Sequence, residues 1–412
     1  MPQPLPRALL AALPKSDLHC HLDGSLRLQT LIELARDAGV ALPSETPDGL
    51  RATVFKASYR DLPDYLHGFA YTCAVLRDEA ALERVSYELG IDCLAENTCY
   101  LEVRFAPQLL VRPGLDVDRI LLAVDRGLDR ARREHEASDA VRHGHAPPFR
   151  YGIIACAMRM FTRGFGPYYA DLLDALPGWP AGEVYGVASL TLARQIVALR
   201  DRTGIPIVGF DLAGAEAGHP ASDHIEAYQY VHRHFIKKTV HAGEAYGPAS
   251  IFQAITKLNA DRIGHGTRLF DVEDTDGVDN PSRYVQRLSE YIADRRIVLE
   301  VCVTSNLQTM PHLRSLEDHP VGRMIRERLS VALCTDNRLV SHTTSTDELQ
   351  RVVTAFNLGA SEVRNLILHG FKRSFFAGSY LEKRAYVRAV IDHADRVFAA
   401  YGVTPQPRGA ER

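Results

Sequence analysis

No apolar run in the 412-residue sequence approaches the roughly 20 residues that a membrane span requires. The apolar stretch nearest the N-terminus, residues 9–13, is stopped by Pro14. A cleaved signal is not expected either, because the first chemically loaded motif already begins at Asp17. Basic excess is missing as well: 48 lysines and arginines face 51 acids, so a surface that tracks nucleic-acid phosphates is not expected. There is no low-complexity tract, and the seven cysteines form no CxxC pair. Scattered in this way, they read as small buried side chains of a reducing compartment, and the expected location is the cytoplasm. What remains is a globular chain whose partner is a small molecule or another protein.

Eight short apolar or β-branched runs recur along the chain, at 16–22, 99–106, 151–157, 207–212, 238–242, 262–265, 297–303 and 330–335. Helical spacing follows most of them, as with Leu28, Leu31, Ile32 and Ala35, or Val117, Ile120, Leu121, Val124 and Leu128. Strand–helix alternation repeated eight times predicts an α/β fold, a (β/α)8 barrel, as one domain over 1–412. Two stretches exceed what a barrel needs. Residues 40–97, interrupted by Pro43, Pro47 and Pro63, insert helices after the first strand, where a lid or pocket wall is expected. The run 270–281 carries Asp271, Glu273, Asp274, Asp276 and Asp279 and reads as a solvated surface loop.

The motif Asp17-Leu18-His19-Cys20-His21-Leu22-Asp23-Gly24 carries the first chemical signal. Alternate side chains of a strand share a face, so His19 and His21 point together. Such a pair at one strand end begins a metal site but is weak by itself. The other strand ends strengthen it: Asp211-Leu212-Ala213-Gly214, His241-Ala242-Gly243-Glu244, Gly264-His265-Gly266 and Thr335-Asp336-Asn337. In a barrel these carboxyl ends meet at one mouth, where such enzymes keep their active sites. Three imidazoles and a carboxylate suit zinc and leave a position for water. No lysine stands at the fourth strand end, which argues against a lysine-bridged binuclear site and for one metal per chain.

With these motifs in hand, the sequence resembles the adenosine deaminase branch of the metal-dependent amidohydrolases. The opening Lys15, Leu18, His19, His21, Leu22, Asp23 and Gly24 matches, followed in order by Leu101-Glu102-Val103-Arg104, Asp211-Leu212-Ala213-Gly214, His241-Ala242-Gly243-Glu244, Arg262-Ile263-Gly264-His265-Gly266, Thr304-Ser305-Asn306 and Thr335-Asp336. The resemblance covers about residues 13–370. It implies that His19, His21, His241 and Asp336 hold one Zn2+, with His21 and Asp336 also bordering the substrate. It implies further that Glu244 protonates adenine N1, His265 orients and deprotonates the water, Gly214 offers its N–H to N3, and Asp23 binds a ribose hydroxyl. The reaction implied is hydrolytic deamination of adenosine or deoxyadenosine to inosine or deoxyinosine and ammonia. The chemistry is consistent: attack at C6 needs hydroxide, zinc brings the pKa of water near 7, and electrons pushed onto N1 need an acid. The P-C-x-x-C signature of the other zinc deaminases is missing.

One position departs from the family pattern. Asn337 follows Asp336 where a second aspartate is usual, and an amide donates to N7 at any pH. A related aminopurine (adenine, an N6-modified adenine nucleoside, or an aminofutalosine-type nucleoside) is therefore the alternative substrate. Asp23 favours a sugar hydroxyl and disfavours a nucleotide, for which no arginine or lysine cluster stands beside the motifs. Oligomeric state is not readable.

Overall fold

The structure, a computed structural model, describes residues 5–275, 277–310 and 313–405. Asp276 of the acidic run and both extremes of the 1–412 range lie outside the described residues. Eight parallel strands form the frame: β1 (Lys15–His21), β2 (Thr98–Phe105), β3 (Arg150–Met158), β4 (Ile207–Ala213), β5, β6 (Arg262–His265), β7 (Val298–Val301) and β8 (Ser330–Leu333). Strand β5 is split into Lys237–Lys238, paired with β4, and His241–Ala242, paired with β6. The gap is bridged by single bonds: Thr239 N–H donates to the Phe210 carbonyl at 3.0 Å and Gly264 N–H to the Val240 carbonyl at 2.8 Å. Asp336 closes the ring, its N–H donating to the His19 carbonyl at 2.8 Å and its carbonyl accepting from His21 N–H at 2.6 Å. The expected barrel is therefore present, and solved structures described below share its fold.

Alternation within the strands decides what faces inward. On β2, Leu101, Val103 and Phe105 join the apolar layer beneath the helices, together with Leu82, Val85, Ile120, Leu121 and Val124. Glu102 and Arg104, offset by one, are buried on the opposite face, inside the barrel. The helix Val117–Glu136 starts where the Asp116 carboxylate accepts from Arg119 N–H at 2.9 Å, and it buries the face that its spacing predicts. Gly127 on this helix allows the helix Glu79–Ala95 to approach closely, since a Cβ there would lie 2.3 Å from the Glu83 carbonyl.

Three details differ from the sequence reading. The run expected over 297–303 stops as a strand at Val301, and Val303 opens the helix Val303–Thr309, whose Thr304 N–H is taken by the buried Glu348 carboxylate. Between β1 and β2, the helices Leu62–Leu66 and Phe69–Val75 border a cavity, whereas Glu79–Ala95 runs alongside Val117–Glu136. The acidic run is partly tied down: Arg268 pairs with Asp271 and with Asp274, each at 2.9 Å. Among the described residues, no helix is long and apolar enough to cross a membrane.

Candidate active site

The carboxyl ends of the strands bring the motifs together. His19 and His21 close β1, His241 lies on the second half of β5, His265 ends β6, and Asp336 follows β8. His265 and Asp336 have φ of 62° and 59°, a left-handed backbone that costs a non-glycine residue about 1–3 kcal/mol. That cost is met by the closed ladder around them, and it turns both side chains into the barrel mouth. Donor atoms of His19, His21 and His241 lie within 4.8 Å of one another, and so do those of His19, His265 and Asp336. Asp336 Oδ1 stands 3.5 Å from Nε2 of both His19 and His21.

Beneath these groups lies an ion network that the sequence reading did not assemble. His19 Nδ1 donates to Glu300 at 2.9 Å, and His241 Nδ1 contacts Asp211 at 3.0 Å. Arg104 joins the two acids, at 2.9 Å to Asp211 and 2.8 Å to Glu300. Arg262 holds the other Glu300 oxygen at 2.6 Å and also pairs with Glu102. All five charged groups are buried. Glu102, Arg104, Asp211 and Arg262 stand in the quoted motifs without a role, and Glu300 is marked only as a charge between Leu299 and Val301.

This network fixes the histidine chemistry. With Nδ1–H committed to a carboxylate, each ring turns an Nε2 lone pair toward the centre. His19 Nε2 is buried without a hydrogen-bond partner, and His21 Nε2 faces His241 Nε2 at 3.2 Å. Either a proton on one nitrogen or a cation between them accounts for that separation, and Asp211 raises the His241 pKa against the effect of burial. Burial, with Arg104 and His241 nearby, pushes His19 down to about 4, and burial likewise holds His21 well below its ordinary value, so both rings are neutral ligands at pH 7. Asp336 stays well below the usual carboxylate range despite burial, through its bond to His19 and the neighbouring histidines. The donor set therefore fits a small divalent metal, and Ser305 Oγ donates to the second Asp336 oxygen at 2.6 Å.

Arg104 is expected to support both stability and metal affinity. Arg104→Met removes the cation that two buried carboxylates share, leaving Glu300 to Arg262 and His19 and Asp211 to His241 alone, at a cost of about 3–5 kcal/mol of folding free energy. It also frees the orientation of His19 and His241, which should weaken metal binding about 10–100-fold. Thermal melts and titration against a zinc buffer measure the two effects. An affinity within twofold of the parent would show that the histidines keep their aim without the arginine.

A cavity of about 890 Å³ opens over these groups and collects every remaining expected residue except the fully buried His19: His21, Asp23, Gly214, His241, Glu244, His265, Asp336 and Asn337 all line it. Glu244 Oε2 lies 3.7 Å from His265 Nε2. Burial raises the Glu244 pKa, the charges of Asp336 and Glu216 add to this, and His265 and His241 oppose it. Burial pushes Asp23 up to about 7, and its Oδ1 lies 3.9 Å from His21 Nδ1. Gly214 has φ of 99°, a conformation that leaves its backbone bare at the cavity wall. Asn337 Nδ2 donates to the Tyr65 hydroxyl at 2.8 Å, so a residue of the inserted helices touches the strand end after β8. Arg77 and Arg112 also border the cavity, against the expectation that no cationic cluster stands near the site. They were hidden because neither belongs to a strand-end motif.

A family model described as adenosine deaminase matches residues 14–162 and 186–393. The chain belongs to the adenosine deaminase family. Members are hydrolytic deaminases that act on C–N bonds, and the chain is such an enzyme. An adenosine deaminase from Mycolicibacterium vanbaalenii is 36% identical over 394 residues, covering 95% of this chain and 98% of that protein. Among solved structures, an adenine deaminase from Arthrobacter aurescens aligns with a TM-score of 0.70 at 22% identity, over 92% of this chain and 99% of that one. An amidohydrolase from Burkholderia ambifaria with bound Zn aligns at 0.73 and 20% identity, over 96% and 94%. The arabidopsis ADAL protein complexed with IMP aligns at 0.70 and 24% identity, over 94% and 98%.

Proposed function

We propose that this deaminase hydrolyses adenosine and deoxyadenosine to inosine and deoxyinosine, with one zinc per chain held by His19, His21, His241 and Asp336. The observation that carries the reading is the meeting of Glu244, largely buried and with a raised pKa, with His265 and the three-imidazole cluster in one cavity. Zinc at that cluster acidifies water, so that a nucleophile exists at neutral pH. His265 takes the proton of the attacking water and hands it toward the departing ammonia. Glu244, protonated, donates to N1 as attack at C6 pushes electrons onto that nitrogen. The Gly214 N–H bonds N3 and Asp23 bonds the ribose hydroxyl, which sets C6 over the metal side of the cavity. Seven unpaired cysteines are consistent with a reducing compartment such as the cytoplasm.

A second reading is favoured by one observation, the presence of Arg77 and Arg112 on the cavity wall, which suits an anionic substituent such as a nucleotide phosphate. An ultraviolet deamination assay across adenosine, deoxyadenosine, adenine, the 5′-monophosphate and N6-modified nucleosides separates the readings. Adenosine and deoxyadenosine are expected to give the highest kcat/KM. A monophosphate preferred by tenfold or more would replace the nucleoside as the substrate.

Asn337 is assigned to N7. One of its two amide hydrogens is engaged by Tyr65, which leaves one for the purine. Asn337→Ala should cost about 1–3 kcal/mol of transition-state binding for adenosine and much less for its 7-deaza analogue. Steady-state kinetics on both substrates measure the gap. If the alanine variant leaves that gap unchanged, Asn337 does not touch N7.

A further inference from the structure

Glu216 belongs to no metal cluster and is given no contact with substrate above, where it enters only as one of the charges that raise the Glu244 pKa, yet its carboxylate accepts five hydrogen bonds at the mouth. It is buried, and its Oε1 accepts from Gly243 N–H at 2.7 Å and from the Ser250 hydroxyl. Its Oε2 accepts from the N–H groups of Glu244, Ala245 and Tyr246 at 3.0, 2.7 and 3.0 Å. Four consecutive backbone amides therefore converge on one carboxylate, forming a nest around Glu244. The same side chain springs from the loop after β4, two residues beyond Gly214. The charge of Glu216 also acts on the buried Arg159, whose pKa burial lowers and Glu216 partly restores. Arg159 in turn donates to the carbonyl of His241 and, at 2.9 Å, to that of His219.

We infer that Glu216 is a positioning residue that fixes the Glu244 loop against the Gly214 loop, and so sets the spacing between the acid for N1 and the N–H for N3. The inference rests on the adenosine reading only for its kinetic consequence. A formate-sized anion held by four amides is rigid, and neither loop is otherwise tied to the other by a regular ladder. Glutamine is a graded perturbation: with its NH2 toward Gly243, Ser250 can rotate to accept, but the Gly243 N–H loses its acceptor. Alanine leaves all four amides without one.

Hydrogen exchange of peptides spanning 243–250 and steady-state kinetics test the inference on the zinc-loaded enzyme. Glu216→Gln should exchange faster in that segment while bound zinc, read by elemental analysis, stays at the parent level. Its kcat should fall about tenfold and that of Glu216→Ala about 10²-fold, with KM for adenosine within a few-fold. The preference for adenosine over 3-deazaadenosine should narrow in both variants, which a general loss of stability would not produce. Unchanged exchange over 243–250 in Glu216→Gln overturns the inference, and so does a fall in kcat that merely tracks lost zinc. Should Glu216→Ala fail to fold, the glutamine variant decides. A parent enzyme that turns over no adenosine refutes the substrate reading instead, while the exchange result still judges the role of Glu216.

Discussion

His241→Ala is expected to yield a folded protein without bound metal and without measurable turnover. The proposed donor set is three imidazoles and one carboxylate, and zinc sites with three protein ligands exist, so the loss has to be argued rather than assumed. His241 opens the second, two-residue half of β5, and its Nε2 lies 3.2 Å from that of His21. Without it, the donors that would remain, His19, His21 and Asp336, all come from β1 and the segment after β8, and the set would be short of one imidazole. Two imidazoles and one carboxylate are a weaker set than three imidazoles and one carboxylate, and the loss should lower zinc affinity enough for the ion to be stripped during purification. Folding should survive because Asp211, deprived of its imidazole, still pairs with Arg104 at 2.9 Å. The expected result is less than a tenth of the parent's zinc by elemental analysis, with melting lowered by no more than a hydrogen bond to a charged group is worth, about 1.5–3 kcal/mol. Full activity in protein shown to be metal-free would sink the whole chemical scheme.

Which parts of this were legible in the sequence follows from how each part is encoded. His19 and His21 are visible because a strand repeats every two residues and the pair falls at the end of an apolar run. Glu244, His265 and Asp336 are visible because each lies at or just past the end of a strand and beside small or polar residues that allow a sharp exit. Glu300 is not visible in this way. Its contact with His19 spans 281 positions, and nothing local marks which of the acids will face inward. Glu216 is hidden similarly, because its partners are backbone amides, which have no sequence signature. The break in β5 was read as one continuous run since Thr239 and Val240 are good strand residues. Only the three-dimensional course of the ladder, which passes from β4 to β6 there, splits it. Tyr65 reaches Asn337 from the inserted helices, a packing outcome that proline positions alone cannot foretell.

Glu244→Gln separates chemistry from binding and should slow the chemical step by about 10²–10⁴-fold. The side chain keeps its shape and its place in the cavity, since the loop is held by its backbone amides and not by the carboxyl group. What is lost is a proton that can be given up as N1 gains electrons. Burial is the largest cause that raises the Glu244 pKa, and the negative charges of Asp336 and Glu216 push in the same direction. The protonated form is the competent one, so kcat/KM for the parent should be full below that raised pKa and decline as pH rises through it. An amide has no such ionisation, and the glutamine variant should therefore lose this alkaline limb along with most of its rate. Affinity for a ground-state analogue that needs no proton at N1 should change by no more than a few-fold, and zinc content should equal the parent's. Stopped-flow absorbance over a pH series, with calorimetric binding of the analogue, measures each quantity separately. A variant that turns over within a few-fold of the parent, or that keeps the same alkaline limb, would assign the proton to another group, and His265, 3.7 Å away, is the nearest titratable alternative.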